Sequence, residues 1–258
     1  MVYFQVSLVV VCFFTIWFLI CIQQKNYGLV DIAWGLGMSV VAGYLLFQFQ
    51  PNLQIKISLI LIILWGLRLG LYLGKRNWGK PEDYRYVNLR KRWGQNHPYL
   101  KAFLNVFVLQ GVLLYLMMFS SMNAVSHQNE INTFTLFLGL AVAIFGLAFE
   151  TVGDYQLAKF KQGEKNRGKL MKSGLWSITR HPNYFGEIVF WWGIYVMTFQ
   201  SMQSLIGIIS PLLITLLLNY VSGIPLLERK YADREDYIAY ASETPRLIPF
   251  IGDKRIKK

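Results

Sequence analysis

An all-α integral membrane fold with seven transmembrane helices is the prediction for this chain, and three observations carry it. Of its 258 residues, 54% are hydrophobic and 16% aromatic, and the mean hydropathy is +0.36, more apolar than a soluble domain of this length tolerates. The apolar residues fall in seven runs, most of them long enough to cross ~30 Å of hydrocarbon. Nearly all Lys and Arg lie between those runs, so the formal net charge of +12 reads as the cation bias of cytoplasmic loops and not as a nucleic-acid-binding face.

Residues 1–258 read as one membrane domain, with spans at about 1–22, 29–49, 55–73, 102–122, 134–157, 184–199 and 205–220. The first run has no basic leader and no small-residue cleavage site, so it is expected to be a retained helix. Pro51 and Asn52 turn the second span into the third. The strongly basic stretch from Gly74 to Lys101 follows, a surface loop or interfacial helix whose Trp93 and Tyr99 suit a headgroup layer. The fifth run continues past the needs of the bilayer and carries Glu150 and Asp154 in its lower half. A second basic loop, Lys159 to Arg180, leads into the sixth span, and a basic tail closes the chain. Counting cations sets the sidedness. Twenty-four of the 26 Lys and Arg fall on one side, leaving only Lys56 and Arg68, which puts the C-terminus in the cytoplasm and the N-terminus outside.

Cys12 and Cys21, the only cysteines, lie in the first span without metal-ligand spacing, so neither a disulfide framework nor a metal site is expected. Ionisable groups at membrane depth need a partner or a role, and here they are Asp31, Arg68, Glu150, Asp154 and Glu187. Glu150 and Asp154 are four apart and share a helix face, and Lys161 lies near the same stripe. The loop of Gly163, Gly168 and Gly174 among cations can bring backbone and charge to an anion, although cytoplasmic loops collect cations for topology alone. In GLWSITRHPNYFGE, Gly174 to Glu187, Pro182 holds His181 extended and makes Asn183 the natural N-cap of the sixth helix. Arg180, His181 and Asn183 then form an anion- or amide-binding corner at a helix mouth, with Glu187 one turn inside. Trp191, Trp192 and Tyr195 read as packing aromatics. The chain has no GxGxxG, no GxxxxGK[ST], no HExxH and no GxSxG, so any nucleotide binds outside a Rossmann fold.

These stretches, with DIAWGLG at Asp31 to Gly37, LWGLRLGLYL at Leu64 to Leu73, EDYRY at Glu82 to Tyr86 and SGIPLLE at Ser222 to Glu228, resemble the bacterial steroid 5-alpha-reductase-like membrane proteins. NYFGE at Asn183 to Glu187 is the most specific piece and is shared with steroid and enoyl-lipid reductases. RHPNY at Arg180 to Tyr184 is similar to a motif of isoprenylcysteine and phospholipid methyltransferases. The resemblance implies a multi-pass protein of the bacterial inner membrane, with NADPH under cytoplasmic loops and a lipid-like enone as substrate. It implies cofactor contacts from Asp154, Lys161, Arg180, His181, Asn183, Tyr184 and Glu187, with Tyr231 and Arg246 from the tail. Leu109 to Gly111, and Arg68 with Tyr72, match positions lining the family's cavity.

Three departures from the steroid-reducing members stand out. Trp65 stands where they carry a Tyr that polarises the substrate carbonyl, their Glu from the segment before that helix has no clear match, with Asp31 the candidate replacement, and Gly168 replaces an aromatic of the basic loop. Asp31, Arg68, Tyr72 and Tyr86 are then the candidate groups for catalysis. Two other readings stay open: an S-adenosylmethionine-dependent methyltransferase using RHPNY and Glu228, although Arg229 follows where those enzymes have a second acid, and a non-catalytic lipid-binding scaffold.

Overall fold

The computed structural model describes residues 1–94 and 96–252, and among them every regular element is helical. They fall into two compact units, Met1–Thr133 with Met197–Ser210, and Phe134–Val196 with Pro211–Lys258.

The first unit begins with α1 (Val2–Gln23), whose buried residues Val2, Val6, Val10, Phe14 and Cys21 line one helical face. Asn26 accepts the Gly28 N–H at 2.9 Å and opens a single 3₁₀ turn into α2 (Val30–Phe49). The Asn52 side chain caps α3 (Leu53–Asn77) by accepting the Ile55 N–H at 3.1 Å, and Lys75 and Arg76 fill its last turn, where cations meet the carbonyl end of the helix dipole. α2 and α3 approach until their backbones touch: a Cβ on Gly66 would lie 2.3 Å from the Gly35 carbonyl oxygen. This contact uses glycine as membrane helix pairs do, trading side chain for closeness.

The basic stretch forms α4 (Tyr84–Trp93), capped by Asp83 and stopped at Gly94, where φ is +65°. The helix lies inside the basic stretch read from the sequence as a surface loop or interfacial helix. The next span begins with α5 (Pro98–Ala102), passes through a π-helical turn at Phe103–Val108 and continues as α6 (Leu109–Met117). It breaks at Met118, inside the predicted span of 102–122, and α7 (Phe119–Ser126) follows. The break stands because Ser210 Oγ accepts the Ser120 N–H at 2.9 Å, supplying a partner for a freed backbone group. Nearby, the fully buried Gln54 donates to the Met197 carbonyl at 2.7 Å and accepts the Asn132 N–H at 2.8 Å.

The second unit is built on α8 (Thr133–Gln162) and α9 (Pro182–Thr198), followed by α10 (Ile209–Leu216), a π-helical turn at Leu217–Val221, α11 (Ile224–Tyr231) and α12 (Glu235–Glu243). α8 and α9 meet along glycines: Cβ atoms on Gly146, Gly186 and Gly193 would lie 2.3–2.4 Å from the backbone nitrogens of Phe190, Glu150 and Ala143. α9 begins at Pro182, so Asn183 is inside the helix and not its N-cap as the sequence suggested. Proline is suited to the first helical position, where no N–H partner is needed, and it takes that place here.

Among the described residues, six helical stretches are long and apolar enough to cross a membrane: Val2–Gln23, Tyr27–Phe49, Leu53–Asn77, Pro98–Met117, Thr133–Gln162 and Met202–Tyr231. The segment predicted as the sixth span, 184–199, corresponds to α9, which at 17 residues is about 26 Å long.

Gly66→Ala is expected to lower the unfolding free energy in detergent by about 1–3 kcal/mol, because a methyl group there overlaps the Gly35 carbonyl. Gly43→Ala, where nothing lies within 4 Å, should leave the unfolding midpoint unchanged or slightly raised. Equal midpoints for the two variants would contradict the backbone contact.

Candidate functional site

In the second unit the stretch Gly174 to Glu187 is held from both sides. Gly174 has φ +64°, a conformation that favours glycine, and the amide end of the Gln156 side chain sits 2.5 Å from where a Cβ would be. Gln156 accepts the Leu175 N–H at 3.0 Å, and Trp176 Nε1 donates to the Gly153 carbonyl at 3.1 Å, which fixes the stretch to α8. The tail grips it from the other side. Arg180 N–H donates to the Pro245 carbonyl at 2.9 Å, Thr179 Oγ1 to the Leu247 carbonyl at 2.7 Å, and Phe250 N–H to the Ile178 carbonyl at 3.0 Å.

Arg180 and Glu228 form the polar centre of this arrangement, with side chains 0% and 1% exposed. Arg180 Nη2 donates to Glu228 Oε1 at 2.7 Å, and Nη1 donates to the Ala241 and Thr244 carbonyls at 2.8 and 3.1 Å. With both terminal nitrogens on protein oxygens, Arg180 ties the start of α9 to the tail. Arg246 stands 3.6 Å from Glu228 Oε2 and donates Nη2 to the Asn219 carbonyl at 2.7 Å. His181 Nε2 is 3.7 Å from Glu228 Oε1, too far for a hydrogen bond, and the imidazole stacks on Tyr184. Burial lowers the His181 pKa more than the Glu228 carboxylate raises it, so the imidazole is neutral. Tyr237 brings a hydroxyl to the same region that is buried without a protein partner among the described residues.

The acids expected on α8 and α9 are buried: Glu150 is 2%, Asp154 5% and Glu187 8% exposed. Asn183 Nδ2 donates to Asp154 Oδ1 at 3.3 Å, which joins two members of the predicted cofactor set, and Glu187 follows Asn183 by one helical turn. Lys161 lies exposed in the last turn of α8, and Tyr231, at the end of α11, packs against Tyr237 with the two rings tilted by 37°. The basic loop is held at two points, where Arg234 Nη2 donates to the Gly168 carbonyl and Lys172 Nζ to the Asp236 carbonyl.

In the first unit the catalytic candidates separate into two groups. Asp31 receives the Tyr86 hydroxyl at 2.7 Å and Arg85 Nη2 at 2.8 Å, while Arg85 Nε also donates to Asp83 at 2.9 Å. Burial, and after it the Asp31 carboxylate, pushes the Tyr86 phenol well above its ordinary value, so its proton stays on the hydroxyl and is directed at Asp31. Glu82 accepts the Tyr27 N–H at 2.7 Å and both contacts of Arg90, whose guanidinium lies over the Tyr27 ring. Arg68 and Tyr72 are four apart on α3, half-buried, with Trp65 fully buried on the same helix. Sequence reasoning took Asp31 and Tyr86 but missed Arg85 and Glu82, which link them to the chain around. The available signal was EDYRY itself, where acid and Arg two apart at a helix start form a local pair.

Among the described residues no group of three or more His, Cys, Asp or Glu is placed to hold a metal ion. A family model described as Protein of unknown function (DUF1295) matches residues 17–244, and the chain belongs to that family. No curated protein and no solved structure matches the chain.

Removing Glu228 while keeping Arg180 leaves a buried guanidinium without its counter-charge, so Glu228→Leu should destabilise the protein by about 3–5 kcal/mol. Thermal unfolding in detergent measures this, and a loss under 1 kcal/mol would contradict the buried pairing. His181 gives a pH effect of known sign. Its folded pKa lies below the ordinary 6.5, so its contribution is complete above about pH 6.5 and is lost as pH falls towards the lowered value. The fall in melting temperature between pH 7 and 5 should therefore shrink in His181→Gln.

Proposed function

We propose that this member of the DUF1295 family is a membrane-embedded NADPH-dependent reductase of a C=C bond conjugated to a carbonyl in a steroid-like or other lipid substrate. The observation that carries the reading is the Asp154–Asn183 contact at 3.3 Å with Glu187 buried one turn further along α9. These are the positions at which the resemblance to steroid and enoyl-lipid reductases places the cofactor ligands. The residues present fit such a group. Asn183 offers both a donor and an acceptor to an amide or ribose, Glu187 and Asp154 accept, and Lys161 with the cations of the basic loop can meet phosphates. When bound, NADPH supplies a hydride.

The remaining chemistry belongs to the chain. A conjugate reduction adds hydride at the β carbon and a proton at the α carbon, and it needs donors at the carbonyl oxygen where enolate charge develops. Arg68 and Tyr72 on α3 are the donors of this proposal, with the Arg85 guanidinium, held by Asp31 beside Tyr86, as a further donor. Tyr86 acts there as a positioned phenol, because its hydrogen is directed at Asp31. Trp65 holds a core position and supplies no proton.

The same proposal takes the protein as a seven-span chain of the bacterial inner membrane, N-terminus outside and C-terminus inside, with α9 as the short span and the loop of residues 163–180 over the cofactor. The one-sided placement of 24 of 26 cations supports this orientation. The lipid-like substrate reaches the protein from the bilayer.

The buried contact of Arg180 and His181 with Glu228 favours one competing reading, a methyltransferase, since RHPNY and a downstream Glu are what it would use. Binding of NADPH, NADH and S-adenosylhomocysteine to the detergent-purified protein separates them. NADPH should bind more tightly than NADH and S-adenosylhomocysteine should not bind, while Glu187→Gln and Asn183→Ala each weaken NADPH about ten- to hundredfold. Tight S-adenosylhomocysteine binding would establish the methyltransferase, and no nucleotide binding at all would leave the scaffold.

A further inference from the structure

A cavity of about 190 Å³ opens in the first unit between α4 and the span that contains the π-helical turn, lined by Arg85, Tyr86, Leu89, Asn105, Val106, Leu109 and Gln110. At ~30 Å³ each it would hold about six waters, and it is smaller than the ~300 Å³ at which sites for whole drug-sized molecules begin. Its dimensions suit the head of an amphiphile and the first carbons of its chain. The lining is divided accordingly: Leu89, Val106 and Leu109 are apolar, while Arg85, Tyr86 and Gln110 offer polar atoms. Along the same span Leu104, Val108, Leu109 and Val112 are 39–52% exposed, as expected of a surface that meets lipid tails. The extra residue of the π turn at Phe103–Val108 changes the direction of Leu109 and Gln110 relative to the start of the helix, a device often found at binding sites.

The charge of the polar end decides which head fits. Arg85 is shared between Asp31 at 2.8 Å and Asp83 at 2.9 Å, so two carboxylates surround one guanidinium. The next acid, Glu82, is matched by Arg90 at 2.8 Å and adds nothing positive. Neither carboxylate lines the cavity, but both bond the guanidinium that does, so an anionic head entering here meets a cation whose charge is already matched, with two carboxylates behind it. An uncharged head meets usable groups instead: the Gln110 amide, the Tyr86 phenolic oxygen as acceptor, and the Arg85 Nη1 hydrogens, which donate to no group among the described residues.

We propose that this cavity binds the uncharged polar head, a hydroxyl or carbonyl, of a single-chain amphiphile drawn from the bilayer, and selects it against carboxylate and phosphate heads. The cavity shares Arg85 and Tyr86 with the second group of the reductase reading, but its occupancy needs no nucleotide and is tested without one, so the two can fail separately.

Photo-crosslinking without nucleotide tests it, using two alkyl-diazirine probes of one chain length, a fatty alcohol and a fatty acid, at a pH where the acid is ionised. The alcohol should label peptides from residues 84–112, about tenfold more than the acid, and unlabelled alcohol should suppress the signal. Asp31→Asn removes one of the two carboxylates and should bring acid labelling to within a few-fold of the alcohol. Gln110→Leu should reduce alcohol labelling, with the unfolding midpoint checked to show that it is folded. If Asp31→Asn does not fold, Asp83→Asn makes the same charge change. Equal labelling of the parent protein by both probes, labelling confined to other peptides, or a preference unmoved in the folded charge variant would each overturn the proposal.

Discussion

The buried pairing of Arg180 with Glu228 is the constraint on which the second unit depends. A guanidinium with 0% of its side chain exposed cannot be left to water, and the fold answers with one carboxylate and two carbonyls. Those partners come from α11, α12 and the tail, so satisfying one side chain brings three later parts of the chain to the start of α9. Asn183 and Glu187 are then carried on a helix whose first turn cannot shift without uncovering a charge. Glycine contacts do the same for the other side of α9, since the backbones of α8 and α9 are too close for any larger residue at Gly186. Rigid support of this kind is what a binding group needs, because a small displacement weakens the geometry on which recognition rests.

In the first unit the same requirement is met with more charges. Asp31 enters the first turn of α2, where the helix dipole favours an acid, and Arg85 and Tyr86 come from α4 to complete its hydrogen bonds. Two carboxylates share Arg85, while the last turn of the same helix carries Arg90, Lys91 and Arg92.

The membrane character was legible because the bilayer imposes a length and an apolar composition that any single sequence displays. Less legible were features decided by partners far along the chain. Met118 looks like any span residue, and the break beside it depends on Ser210, 90 positions from Ser120. Asp31 reads as an isolated acid until Arg85, 54 residues later, is placed beside it. Asn183 follows a proline and so resembles a cap, but Pro182 itself starts the helix and frees the Asn side chain for Asp154. Arg180 shows the limit most clearly. The motif pointed to an anion-binding cation, and the folded chain uses its terminal nitrogens internally.

Hydrogen–deuterium exchange of the detergent-purified protein, with and without NADPH, tests most directly whether α8, α9 and the loop between them hold the cofactor. NADPH should slow exchange within residues 150–187, above all in the loop of 163–173, while S-adenosylhomocysteine leaves the same peptides unchanged. Protection by S-adenosylhomocysteine, or saturating NADPH with no protection in that segment, would contradict the account.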